Sequence, residues 1–171
     1  MPTGNQGDGP VTKAAKESLE TGNASRILIW IPEESENTLK NLLERTCCVR
    51  SARQDERTAE WYFETVNRLH VASHGLNNLN ISTKTPEEKA IILLVQKACE
   101  SGNFEDIAVR IPDTPAGELR QRFEDLMKKK DSYCEENCVA GRRYVSAFVD
   151  FITFVNSLHS GSPDNCVNQQ H

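Results

Sequence analysis

The stretch ETGNASRILIWIP, residues 20–32, is written a second time at residues 100–112 as ESGNFEDIAVRIP. Glu20/Glu100, Gly22/Gly102, Asn23/Asn103, Ile27/Ile107, Ile31/Ile111 and Pro32/Pro112 coincide in register, and Thr21/Ser101 and Ile29/Val109 nearly so. A recurrence at fixed spacing signals a duplicated structural unit, which outranks any short motif as a guide to the fold.

Each copy reads as a helix stop, a short buried element and a break. Gly22 and Gly102 suit the residue just past a helix, where φ is positive and a Cβ would clash. ILIWI, residues 27–31, is short and β-branched enough for a buried strand, but its copy FEDIAVRI, residues 104–111, has helical character, so a short helix is expected in both places. Pro32 and Pro112 disfavour helical backbone in the residue before them and end both elements.

The neighbouring segments repeat too. Asp8-Gly9-Pro10 opens a first helix that runs to about Thr21. Acidic residues after Pro32 open another, with Leu39, Leu42 and Leu43 on its apolar face. Its counterpart starts at Asp113-Thr114-Pro115 and carries Leu119, Phe123, Leu126 and Met127. A longer helix from about Asp55 to Ser73 shows the stripe Ala59, Tyr62, Val66, Leu69. Its counterpart, from about Val139 to His159, shows Phe148, Phe151, Val155 and Leu158, with extra residues inserted around 128–139. Residues 75–85, GLNNLNISTKT, are a loop, and Thr85-Pro86-Glu87-Glu88 starts the next helix.

The expected fold is therefore all-α: a helical bundle of two tandem, pseudo-twofold related repeats of about four helices each. The divisions are a flexible N-terminus at 1–7, one helical domain at 8–160 (repeat 8–75, linker 76–85, repeat 86–160) and a disordered tail at 161–171. Tyr144, Phe148, Phe151 and Val155 are expected in the densest part of the core.

The totals exclude some functions. The chain has 171 residues, 37% of them hydrophobic, and a formal charge of −5. That length and content suit one domain with a real core. The acidic balance argues against nucleic acid, which demands a basic field. Ile27 to Ile31 is an apolar run of five residues and Ala90 to Val95 one of six, far short of the roughly 20 of a membrane span. No basic-then-apolar leader opens the chain, so a cytoplasmic location with reduced thiols at its six cysteines is expected.

Four segments, DGPVTKAAKESLETGN (8–23), LIWI (28–31), YFETVNRLH (62–70) and AGRRYVSAFVDFITFV (140–155), occur in an order that resembles the DUF6448 family, a family of unknown function. The resemblance implies an all-helical duplicated domain and supplies no activity. Family members typically are exported and open with His-Cys-Asp, reminiscent of a nickel-binding hook; Thr3, Gly4 and Asn5 stand there in this chain. The family's Gly-rich, Pro-Tyr-containing loop is replaced by HGLNNLN, residues 74–80.

Candidate ligand-binding residues gather near the end of the longer first-half helix. Glu64 and Arg68 stand at i, i+4, the spacing of a surface ion pair or a ligand clamp. His70 and His74 share that spacing and present two imidazoles to one side, the start of a metal site that needs three or four ligands. HVASH lacks the Glu of the HExxH pattern. His159 is the repeat mate of His70; both are expected simply to end their helices, the alternative being that they approach each other across a groove between the repeats. Cys134 and Cys138 are spaced for a soft metal or a redox pair if one helix carries both; Cys47 and Cys48 fit no zinc motif. No nucleophile elbow or phosphate-cradling loop is present. The sequence thus points to a non-enzymatic binding or interaction module, its partner an unknown protein or small ligand held in a groove between the repeats. The alternative is a metal-binding or redox protein using His70, His74 and Cys134/Cys138. No catalytic residue, metal or cofactor is specified, and oligomeric state is not legible.

Overall fold

Pro10 opens α1 (Pro10–Thr21), where a missing N–H loses no helical bond, and Gly22 closes it in left-handed conformation at φ 71°. The same ending closes α5 (Pro86–Ser101), with Gly102 at φ 70°. The local hydrogen bonds recur as well. The Asn23 and Asn103 N–H groups donate to the hydroxyls of Thr21 and Ser101. The Asn23 and Asn103 side-chain oxygens then accept from the N–H of Ser25 and Glu105, opening α2 (Ser25–Leu28) and α6 (Glu105–Arg110). Both copies of the quoted stretch therefore form short helices rather than strands.

The structure, a computed structural model, describes residues 9–53, 56–111, 116–134 and 136–160. The expectations for Asp8, for the breaks and starts at Asp55 and 112–115, for Cys166 and for the two chain ends lie outside these residues. After α2 come a 3-10 turn (Glu33–Ser35), α3 (Glu36–Arg53) and α4 (Glu56–His74). Two further 3-10 turns (Gly75–Asn77 and Ile81–Thr83) lead to α5, whose start is a capping box. Thr85 accepts from the Glu88 N–H, and the Glu88 carboxylate accepts from the Thr85 N–H. α7 (Ala116–Ser132) and α8 (Cys138–Ser160) complete the chain. Every regular element among the described residues is helical, so the all-α class is what the chain adopts.

The apolar stripes decide the packing. α3 lies on α4 and α7 on α8, while α1 packs on α4 and α5 on α8. Leu39, Leu42 and Leu43 of α3, Tyr62 and Val66 of α4, Leu119, Phe123 and Leu126 of α7, and Phe148, Phe151 and Val155 of α8 are all buried. Burying one such side chain contributes about 1.5–3 kcal/mol before conformational entropy is set against it. One polar pair enters this core between α1 and α4 and is satisfied there. The Ser18 hydroxyl donates to the Ala15 carbonyl, which leaves the Tyr62 hydroxyl to donate to Ser18 across 2.7 Å.

The two copies of the quoted stretch have different fates. Ile27, Leu28, Ile29, Trp30 and Ile31 are all buried, so the apolar end of the first copy runs through the interior. In the second, Phe104, Ile107 and Ile111 face inward, while Val109 is 78% exposed and Arg110 faces solvent. One further expectation changes: Cys134 lies in the connection after α7, not on a helix with Cys138, because α7 ends at Ser132 and α8 starts at Cys138.

Candidate functional site

A short helix inside a core creates a problem: its last carbonyls have no partner within it. Two side chains from distant helices solve this for the stretch ending at Ile31. His70, on α4 and fully buried, lies with Nδ1 2.8 Å from the Trp30 carbonyl, and its Nε2 lies 2.9 Å from the Leu79 N–H. A carbonyl only accepts and an amide N–H only donates, so Nδ1 carries the proton and Nε2 the lone pair. Arg142, on α8, donates to the carbonyls of Leu28 and Ile31, each at 3.3 Å, and to the Glu36 carboxylate. That hydrogen bond, foremost among the causes, holds the Glu36 carboxyl below its ordinary pKa.

Burial pushes the His70 pKa down to about 4; the hydrogen bond to Trp30 opposes this, and His74 and Lys84 add to it. The sign follows from linkage. Between pH 6.5 and 4 the unfolded chain takes up a proton that the folded chain refuses, so stability falls as pH falls, by about 3 kcal/mol from this group near pH 4. Urea unfolding at pH 7.5 and 4.5 is expected to show this loss in the wild type. The loss should be smaller by about 2–3 kcal/mol in His70→Gln, which has nothing to protonate there. Equal slopes in both proteins would remove His70 as the cause.

The remaining predicted residues are placed as follows. The His74 ring lies 4.7 Å from that of His70, and burial lowers its pKa while Asp150 raises it. Glu64 and Arg68 are exposed on α4. His159 is half-buried in the last turn of α8, and the ring partners of His70 are Trp30 and His74. Among the described residues no three His, Cys, Asp or Glu side chains converge as a metal-holding group.

A cavity of about 460 Å³ opens on the other face of the Trp30 stretch, between α1 and α2 on one side and α5, α7 and α8 on the other. None of Glu64, Arg68, His70, His74 and His159 lines it. Ile29, Trp30, Tyr144 and Phe148 form apolar wall, with the Trp30 and Phe148 rings edge to face at 6.0 Å. Lys13 of α1 pairs with Glu100 of α5 at 2.6 Å, and Arg26 pairs with Glu17 at 2.9 Å. Such exposed pairs are worth about 0–1 kcal/mol each, so they shape the rim more than they stabilise the fold. Lys130, in the last turn of α7, reaches in and donates to the Cys99 carbonyl near the end of α5. The Gln96 Oε1 is buried at the cavity without a hydrogen-bond partner in the protein, a state that costs roughly 1–3 kcal/mol.

Burial pushes the Cys99 thiol up to about 12, with Lys130 pulling the other way, so it remains a thiol rather than a nucleophilic thiolate. Burial also raises the Tyr144 phenol, which therefore stays protonated. Sequence periodicity does not reveal Gln96, Lys130, Arg142 or the Lys13–Glu100 pair, because each acts across a separation in the chain that helical spacing does not encode.

The model of a family of unknown function, DUF6448, matches residues 8–154. No curated protein and no solved structure matches the chain.

Proposed function

We propose that this chain, which belongs to the DUF6448 family, is a non-enzymatic binding module built from a duplicated helical unit, with a small ligand held in the cavity between its halves. The observation that carries this reading is the lining itself. Aromatic and aliphatic walls, a charged rim and a buried unpaired acceptor meet in one concavity of about 460 Å³, within the roughly 300–1,000 Å³ range of small-molecule sites. The recurring Gly-Asn caps support the duplication. A cytoplasmic setting fits as well, since the five cysteines among the described residues are free thiols. The metal or redox alternative gains no comparable support. Both nitrogens of His70 are already hydrogen-bonded in the core, and Cys134 shares no helix with Cys138.

A panel of small aromatic compounds, neutral, anionic and cationic, tests the reading by thermal shift. At least one is expected to raise Tm saturably; a ligand at about 100 times its Kd adds roughly 2.7 kcal/mol. Ala14→Leu fills the cavity from α1 and should abolish that shift. A flat response to the whole panel, or a shift that survives Ala14→Leu in a folded variant, would sink the reading.

A further inference from the structure

We infer that the cavity takes a small aromatic carboxylate, its ring against Trp30 and Phe148 and its anion on Lys130. This deepens the binding reading above and rests on it. Three cations and two carboxylates line the cavity: Lys13, Arg26, Lys130, Glu17 and Glu100. Lys13 and Glu100 neutralise each other, as do Arg26 and Glu17. Lys130 has no carboxylate partner among the described residues, and its one protein acceptor is the Cys99 carbonyl. An ammonium carries three donors, so two remain for a ligand.

The setting favours an anion there. Lys130 is half-buried, where a charge-assisted hydrogen bond is stronger than in open water. Its contact to Cys99 caps the negative end of α5, which fixes the ammonium in position and takes only part of its charge. The walls set the other end of the ligand. The rings of Trp30, Phe148 and Tyr144 succeed one another at 6.0 Å spacing, a surface that suits a flat apolar body. The Gln96 Oε1 offers an acceptor to any N–H or O–H the ligand carries.

The test is calorimetry at pH 7 with three probes of one shape: 3-phenylpropionate, 3-phenylpropionamide and 3-phenylpropylamine. The carboxylate is expected to bind about 10-fold or more tighter than the amide, and the amine weakest. Lys130→Met should bring the carboxylate down to the amide's affinity and leave the amide unchanged, while Lys130→Arg should retain the preference. Equal affinity for carboxylate and amide, or a preference for the amine, overturns the anion assignment and leaves the cavity reading standing. No binding by any probe in the wild type overturns this inference; no binding by the wider panel as well ends the cavity reading. Should Lys130→Met fail to fold, the wild-type order and Lys130→Arg decide the matter alone.

Discussion

His70→Ala is expected to destabilise the protein by about 4 kcal/mol or more, a large share of the roughly 5–15 kcal/mol that holds a domain folded. Three costs add. The Trp30 carbonyl and the Leu79 N–H lose their partners inside the core, at roughly 1–3 kcal/mol each. The truncated ring also leaves a void where His70 was fully buried and where Trp30 packed edge-on against it at 5.9 Å. His70→Gln keeps one donor and one acceptor and should recover part of the loss. Urea midpoints at constant m-value measure both. A loss under about 1 kcal/mol in His70→Ala would show that the imidazole does not hold the two segments together. His74→Ala serves as the comparison. That ring is only half-buried, and its smaller expected cost separates structural anchorage from any role the two histidines share.

Gly141→Ala should also destabilise, against the expectation from helix propensity. Alanine in a helix interior is favoured over glycine by about 1 kcal/mol. A Cβ at Gly141, however, would lie 2.3 Å from Ile29 Cγ2 and 2.7 Å from the Tyr133 ring. Ile29 is buried and β-branched, so it has little room to turn away. Overpacking costs about 1–3 kcal/mol, and so close an approach to a stiff side chain belongs at the upper end, so the net result should be a loss of about 2 kcal/mol. Ile29 and Tyr133 both line the cavity, so ligand binding should weaken in the same variant. Gly117→Ala is the control. It lies in α7 with nothing within 4 Å of the added atom, and should be neutral or slightly stabilising. If Gly141→Ala is as stable as wild type, α8 does not approach the Ile29 segment as closely as described.

The helices and their buried faces were legible because helical periodicity is a local property. The stripes Leu39-Leu42-Leu43 and Leu119-Phe123-Leu126 announce their buried sides without reference to any partner. The stops at Gly22 and Gly102 were legible for a similar reason, since a positive φ needs a residue without a Cβ. Glu64, Arg68, His70 and His74 are candidates by their spacing along one helix and His159 as the repeat mate of His70, and neither spacing nor repetition reports burial. His70 sits at i, i+4 from His74 as a chelating residue would, yet the core spends both of its nitrogens. The conditional pairing of Cys134 with Cys138 depended on a helix that stops at Ser132.

What the sequence by itself determined is the class of fold, the order of the elements, the inward faces of α3, α4, α7 and α8 and membership in a family, because all of these follow from local chemistry and linear pattern. Tertiary structure alone decided which copy of the repeated stretch has its apolar segment buried throughout, which side chains satisfy its carbonyls and which residues surround the cavity. Those depend on the meeting of groups far apart in the chain: His70 with Trp30, Arg142 with Leu28 and Ile31, Lys130 with Cys99. No helical period links such pairs. They are selected when two packed faces close and every buried polar group must find a partner.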